Sequence, residues 1–286
     1  MMRTRDRWLI QSGCSLAALL LCLCGAGKVQ GGTTNSPAAA TNLAQKAQPE
    51  AEPELPPVMP APAPAGRADL RPAFSKSAPT SIADLKTIEQ HVKALAARVS
   101  PAVVAVEVGS SSGSGVVITA DGLVLSAAHV CGGVGRAVRF TFPNGKTALG
   151  KTVGVNFESD TGLMRITERG GWPHADLGEL NQARPGDWAL ALGHPGGFDL
   201  RRSLVVRLGR IIRLDYFTLQ TDCTISPGDS GGPLFDMHGR VIGIHNAISS
   251  SPAENFHVSI TAFAQDWDSL VKPPVEVKLE ASPRQH

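Results

Sequence analysis

The segment Gly228-Asp229-Ser230-Gly231-Gly232-Pro233 places a serine hydroxyl between glycines. A serine hydroxyl is a weak nucleophile at its own pKa, so it needs an adjacent base and donors that stabilise the oxyanion it forms. Flanking glycines allow a tight turn in which the N–H groups of Gly228 and Ser230 can converge on one oxyanion. The pattern predicts Ser230 as a nucleophile, with a Gly-rich turn and an incidental serine as the alternative.

The motif Gly-x-Ser-x-Gly also fits the nucleophile elbow of α/β-hydrolases, in which the serine sits between a strand and a helix and precedes its acid and histidine. Here Pro233, Leu234 and Phe235 follow at once and favour a strand. The chain after Ser230 is also too short to complete such a sheet. The base is therefore expected upstream of Ser230.

Among the eight histidines, His129 has the most suggestive setting. It follows an apolar run and the small residues Ser126, Ala127 and Ala128, which leave room for an imidazole to face a cleft. A lone histidine is more often structural or solvent-exposed, so this setting alone leaves its role open.

Taken together, these segments resemble the chymotrypsin-like serine proteases, because Ser-Ala-Ala-His129-Val, an aspartate and the Ser230 loop follow in the order His, Asp, Ser. The short intervals resemble the HtrA/Deg branch of that family. Further matching segments are 100–104, 113–118, 184–195 and 219–228. The resemblance covers about residues 82–270, and it implies an all-β fold of two packed antiparallel β-barrels, about 82–175 and 176–271, with an N-terminal helix.

The resemblance also implies the roles of the site residues. The family places its acid at the head of an apolar strand, which Asp160 fits, and this residue is expected to orient His129 and stabilise its protonated form. Catalysis is then expected from His129, Asp160 and Ser230, with an oxyanion hole at the N–H groups of Gly228 and Ser230. This mechanism needs no metal and no organic cofactor.

The chain departs from the family at two places. Asp229 stands where the family usually has asparagine. The digestive enzymes of this fold also have aspartate there, and it pairs with a new N-terminal amine that forms by cleavage at an activation site. No such site precedes the first strand here, so the Asp229 carboxylate is expected to find another partner or to face water. Many members carry PDZ domains, and we expect PDZ-based control to be absent from this chain.

The substrate pocket is expected from the same comparison. Thr224 aligns with the pocket base, and its uncharged side chain argues against a preference for Arg or Lys. The pocket wall and the edge strand for substrate pairing are expected at Ile244, His245 and Asn246, up to Ala247. The resemblance suggests small aliphatic residues before the scissile bond.

The remaining patterns describe the elements that must position these residues. Apolar residues at three- and four-residue steps predict an amphipathic helix over 82–99, and Ser81 with Asp84 resembles a capping box. Short apolar runs separated by turns such as Asp121-Gly122 and Asn144-Gly145 predict β-strands as far as about Ile260. A short helical segment is expected at 261–271.

The two ends have different compositions from the body. Residues 1–26 resemble an export signal, with basic Arg3, Arg5 and Arg7 before an apolar stretch. A lipid on Cys14, Cys22 or Cys24, or an uncleaved anchor, is the alternative. Residues 27–80 are predicted as a Pro/Ala-rich linker, 81–272 as the protease-like domain and 273–286 as a polar tail. The chain is therefore expected to be exported, to the periplasm or another extracytoplasmic space, with a membrane tether as one option.

The composition argues against one class of function. The chain has 27 Lys and Arg against 25 Asp and Glu, and 5% of its residues are aromatic, so nucleic-acid binding is not expected.

Cys131 and Cys223 are interpreted as two buried thiols, with a disulfide as the alternative. The expected function is an endopeptidase acting on exported, misfolded polypeptides, with a non-cleaving binding or chaperone protein as the alternative. Family members are often trimers, so a homotrimer is one option.

Overall fold

The computed structural model describes residues 59–62, 70, 72–202, 204–249, 251 and 254–272. The predicted export signal, most of the predicted linker and the predicted tail lie outside these residues, so those boundaries stay predictions. Among the described helices, none is long and apolar enough to cross a membrane.

The first barrel is a closed sheet of six antiparallel strands in the order β1-β2-β3-β6-β5-β4. Its strands are β1 Val103–Val108, β2 Ser111–Val117, β3 Leu123–Ala127, β4 Ala137–Thr141, β5 Thr147–Asn156 and β6 Thr161–Ile166. Gly122 and Gly145 adopt φ values of +94° and +82° in the turns that their Asp-Gly and Asn-Gly sequences predict.

The second barrel repeats this arrangement, with six strands in the order β7-β8-β9-β12-β11-β10. Its strands are β7 Trp188–Gly193, β8 Val205–Leu214, β9 Thr218–Thr221, β10 Pro233–Phe235, β11 Val241–Ile248 and β12 Asn255–Ser259. The prediction of two closed antiparallel β-barrels is therefore confirmed.

In the described part of the chain, three helices accompany the barrels: α1 Ile82–Val99, α2 Ala128–Cys131 and α3 Ile260–Val271. Short 3-10 turns occur at Pro72–Phe74, Ser100–Ala102 and Leu180–Gln182. The N–H of Asp84 donates to Ser81 Oγ over 3.1 Å, but the Asp84 carboxylate accepts from the N–H of Thr80. Only half of the predicted capping box therefore forms.

The apolar face of α1 packs over only part of its predicted length. Ile88, Leu95 and Val99 are buried, whereas Ile82 and Leu85 are 73% and 55% exposed. The helix therefore contacts the core mainly through its second half, and its first turn faces solvent.

The structure differs from the prediction of a linker that ends at residue 80. Ala73 and Phe74 are buried in the core, and the Phe74 ring lies 4.7 Å from the His91 ring of α1. Met59 and Leu70 also pack against this core. The proline-rich composition of this segment gave no indication that these apolar residues are buried. Packing against the core therefore begins before Ser81.

One hydrophobic cluster contains side chains of both barrels. It includes Leu125 and Leu163 of the first barrel, Leu190 and Phe235 of the second, and Phe263 of α3, all fully buried. Removing this apolar surface from water stabilises the contact between the barrels. Elements of both barrels therefore position the side chains of the candidate site.

Candidate active site

His129 and Asp160 form a hydrogen-bonded pair within the first barrel. His129 lies in α2, directly after β3, and its Nδ1 is 2.9 Å from Asp160 Oδ2 and 3.1 Å from Oδ1. The backbone N–H of His129 also donates to Asp160 Oδ1 over 2.9 Å. These contacts fix the imidazole, and the histidine side chain is 48% exposed.

The pair changes the protonation of the histidine. The hydrogen bond to Asp160 raises the pKa of His129 above its usual 6.5, and burial opposes part of this shift. A proton accepted at Nε2 would therefore be stabilised by the carboxylate on the other side of the ring.

Asp160 itself occupies an unusual backbone conformation. It is the one non-glycine residue in the described part of the chain with a positive φ, at +57°. The hydroxyl groups of its neighbours, Ser159 and Thr161, both donate to Asp266 Oδ2 of α3, over 2.5 and 2.7 Å. Helix α3 therefore holds the chain on both sides of Asp160.

Asn246 of β11 also contacts this carboxylate. Its Nδ2 donates to Asp160 Oδ2 over 2.7 Å. We expected Asn246 in a pocket wall, and the structure adds this contact with Asp160. The carboxylate thus receives donors from both barrels.

Ser230 lies in the loop between β9 and β10. The loop turns tightly, because the N–H of Asp229 donates to the Ser226 carbonyl and the N–H of Gly232 donates to the Asp229 carbonyl, over 2.9 and 2.8 Å. Gly231 adopts φ +84° and packs against Ser126, so a side chain there would collide with β3. The loop is thereby pressed against the strand that leads to His129.

Ser114 of β2 fixes the loop from the first barrel. Its N–H donates to the Ser230 carbonyl and its Oγ donates to the Gly228 carbonyl, both over 2.8 Å. At the adjacent Gly113, a Cβ would lie 2.8 Å from both the Ser230 carbonyl and the Val130 methyl groups. The serine loop and the helix that carries His129 therefore meet at this glycine.

The loop leaves two N–H groups without protein partners. The Pro227 carbonyl accepts from the N–H of Gly196 over 2.8 Å. Because carbonyl and N–H point in opposite directions across a trans peptide, the N–H of Gly228 faces away from Gly196. Within the described chain, neither this group nor the N–H of Ser230 donates to another residue, so both are free to bind an oxyanion.

The carboxylate of Asp229 has a partner, which was one of the two outcomes expected from the sequence. Its side chain is fully buried, and Oδ2 lies 2.8 Å from Arg207 Nη2 of β8 and accepts from the N–H of Ser226 over 2.8 Å. Burial raises the pKa of Asp229, and the charge of Arg207 opposes the shift. Sequence reasoning missed Arg207, because it is one of three arginines in β8 and nothing in the sequence distinguishes it from Arg210 and Arg213.

The expected pocket residues are placed unevenly. Thr224 is exposed in the first part of the loop between β9 and β10, whereas Ile244 is fully buried in the core. His245 is also fully buried, with Nδ1 2.9 Å from His257 Nδ1 and Nε2 3.1 Å from the Leu192 carbonyl. The expectation that the His245 side chain lines a pocket therefore disagrees with the structure, because the ring is enclosed in the second barrel.

Cys131 and Cys223 are free, buried thiols in different barrels. Burial raises the pKa of Cys131 to about 12 and that of Cys223 to about 11. The interpretation of two buried thiols is confirmed.

Comparisons with known proteins agree with this geometry. Residues 113–244 match the family model described as a trypsin-like peptidase domain. The chain is 37% identical over 143 residues to a protein of Marinomonas sp. (strain MWYL1) named as a DegP-like periplasmic serine endoprotease, covering 49% of this chain and 30% of the relative. It is 37% identical over 178 residues to a protein of Arabidopsis thaliana named as Do-like protease 14, covering 52% of this chain and 41% of the relative.

A solved structure is similar as well. The HtrA-type protease AlgW with a tripeptide superimposes with a TM-score of 0.56 at 28% identity, covering 63% of this chain and 64% of that one. The chain spans less than half the length of each of these two curated relatives.

Proposed function

We propose that the chain is a serine endopeptidase, because residues 113–244 match the trypsin-like peptidase family model and the chain is similar to an HtrA-type protease of solved structure. The observation that carries the proposal is the 2.9 Å contact between His129 Nδ1 and Asp160. It leaves Nε2 as the nitrogen that can accept a proton from a serine at the barrel junction.

In the proposed reaction, His129 Nε2 removes the proton of the Ser230 hydroxyl as Oγ attacks a peptide carbonyl. The carbonyl π electrons move to oxygen, and the N–H groups of Gly228 and Ser230 bind the oxyanion. His129 then gives its proton to the leaving amine as the C–N bond breaks. Water repeats the sequence, and the acyl bond to Ser230 is hydrolysed. Asp160 keeps its negative charge throughout and stabilises the imidazolium.

The two free N–H groups would contribute much of the rate. Loss of one oxyanion donor in such sites lowers kcat about 10²- to 10³-fold. The Ser114 contacts to Gly228 and Ser230 support this role, because they hold both residues by their carbonyl groups and leave the N–H groups free.

Extended polypeptides are the proposed substrates. Ala247 and Ile248 of β11 are exposed beside Asn246, and such a strand can pair with an extended peptide through its backbone. Unfolded segments expose the backbone that this pairing needs, which favours misfolded proteins as substrates. The relative from Marinomonas is named as periplasmic, and together with the predicted signal this favours an extracytoplasmic location.

Labelling with a peptidyl phosphonate tests the function. The wild-type chain is expected to be labelled at Ser230 and to digest casein, whereas Ser230→Ala is expected to do neither. Ser226→Ala, in the same loop, is the matched control and should retain labelling. A folded wild type that is neither labelled nor active would favour the non-cleaving binding or chaperone protein instead.

Assembly and tethering are separate proposals. A homotrimer and a membrane tether stay predictions from the resemblance and the N-terminal sequence. Light scattering after size exclusion tests the first, and fractionation of cells that produce the full chain tests the second.

A further inference from the structure

We propose that Arg207 is a positioning residue, which holds the oxyanion-binding loop in its working shape through the carboxylate of Asp229. The inference rests on the proposed protease function. Arg207 lies outside the family's motif residues and belongs to β8, whereas Asp229 stands between the two proposed oxyanion donors, Gly228 and Ser230.

The contact has the geometry of a bidentate ion pair. Arg207 Nη2 lies 2.8 Å from Asp229 Oδ2, and Nη1 lies 3.3 Å from Oδ1. The Asp229 side chain is fully buried and that of Arg207 is 17% exposed. A guanidinium that meets both oxygens restricts the rotation of the carboxylate more than a single contact would.

The surroundings are shaped for an inward carboxylate. Gly193, the last residue of β7, packs directly on Asp229, and a Cβ there would collide with Oδ1. The N–H of Ser226 donates to Oδ2 over 2.8 Å. Of the two arginines whose charge acts on Asp229, Arg202 is exposed and donates to the Pro195 carbonyl, so Arg207 is the one in contact.

The consequence for the loop follows from the cost of burying an unpaired charge. Without Arg207, a buried carboxylate would have lost its cation, and turning outward to water would relieve this cost. The Asp229 side chain is fully buried and packed against Gly193, so rotation of the side chain alone would not bring the carboxylate to water. The loop backbone, including the peptide groups of Gly228 and Ser230, would have to move as well. The positions of the two oxyanion donors therefore depend on Arg207.

The test compares Arg207→Met, Asp229→Asn and the double variant with wild type. We expect Arg207→Met to lower kcat and the rate of phosphonate labelling at least about tenfold, with a smaller change in KM, because the oxyanion is bound only in the transition state. In the double variant the asparagine oxygen can still accept from Ser226 and needs no cation. Its kcat is therefore expected to return to within about fivefold of wild type.

Arg213→Met is the matched control, because Arg213 is an exposed arginine on the same strand and should leave kcat unchanged. Arg207→Lys should retain more activity than Arg207→Met, since it keeps the charge. If Arg207→Met folds and its kcat is within twofold of wild type, the inference is overturned. If Arg207→Met fails to fold, the double variant decides: a folded, active double variant supports the inference, and a folded, inactive one overturns it.

The same experiment separates this inference from the proposed function. A wild type that neither cleaves casein nor reacts with the phosphonate contradicts the protease function itself. An active wild type with an equally active Arg207→Met contradicts only the role of Arg207.

Discussion

Asn246 of the second barrel donates a hydrogen bond of 2.7 Å to Asp160 of the first, on the same carboxylate oxygen that contacts His129. Asp160 is thereby restrained from two sides. The orientation of the imidazole therefore depends, through Asp160, on a side chain that lies 86 residues after Asp160 in the chain.

Asn246→Ala removes this donor. A hydrogen bond to a charged group contributes about 1.5–3 kcal/mol, so kcat/KM should fall about 10- to 100-fold if the bond acts fully in the transition state. Steady-state hydrolysis of a peptide substrate measures the effect. Asn246→Ser keeps a hydrogen-bond donor on a shorter side chain, so its kcat/KM should fall less than that of Asn246→Ala. Equal activity of Asn246→Ala and wild type would show that the imidazole and the backbone N–H of His129 are enough to orient Asp160.

Activity should decline at acidic pH with the titration of His129. The hydrogen bond to Asp160 raises the pKa of His129 above 6.5, and only the neutral imidazole can accept the serine proton. The rate of phosphonate labelling should therefore fall as pH drops through this raised pKa. Asp160→Asn removes the charge, so the decline should move to lower pH, and the maximal rate should drop about 10⁴-fold.

A neighbouring carboxylate provides the control for this profile. Glu158 is exposed two residues before Asp160, and Glu158→Gln should leave the acidic limb in place. If Asp160→Asn leaves the midpoint where wild type has it, the titrating group is not His129.

The fold should lose stability in acid through His194. Burial lowers the pKa of His194 to about 4 from 6.5, so the unfolded chain binds more protons than the folded one between these values. The histidine's contribution to stability is complete above pH 6.5 and is lost as pH falls towards 4. The slope amounts to about 1.4 kcal/mol per pH unit for one proton.

His194→Gln isolates this contribution. Urea unfolding at pH 7 and pH 4.5 should show that the free energy of unfolding falls less in the variant than in wild type, by about 2 kcal/mol or somewhat more. Parallel losses in the two proteins would mean that His194 titrates normally in the folded state.

Asp266→Ala should weaken the site from helix α3. The buried Thr161 hydroxyl would lose its acceptor at a cost of about 1–3 kcal/mol, and the positive φ of Asp160 would lose support on both sides. We expect a lower melting temperature together with a decrease in kcat/KM of about tenfold. Asp268→Ala, exposed on the same helix, should change neither quantity. Asp266→Asn, whose amide oxygen can still accept, should lie in between.

The fold could be predicted from sequence because its signals are local. Turn pairs such as Asp121-Gly122, apolar strands and the motifs around His129 and Ser230 all lie within a few residues of the features they specify. Asp160 needed the family resemblance, since no fixed spacing selects it among the aspartates upstream of Ser230.

The partners of these residues could not be predicted, because they depend on which strands meet in space. Arg207 reaches Asp229 only because β8 passes beside the serine loop, and nothing in its neighbourhood along the chain indicates a partner 22 residues away. His245 was expected at a pocket because it belongs to β11, the strand expected to pair with the substrate. Side chains of a strand in a closed barrel can point into the barrel interior as well as outward. The position of His245 along β11 therefore did not determine whether its ring is exposed.

Ser114 belongs to the first half of the chain, yet it holds two carbonyl groups of a loop made much later during synthesis. A partly translated or partly exported polypeptide would possess the imidazole and its carboxylate but neither the hydroxyl nor the amides that complete the machinery. Under the proposed function, peptide-bond hydrolysis would therefore begin only after both barrels have been synthesised and have packed against each other.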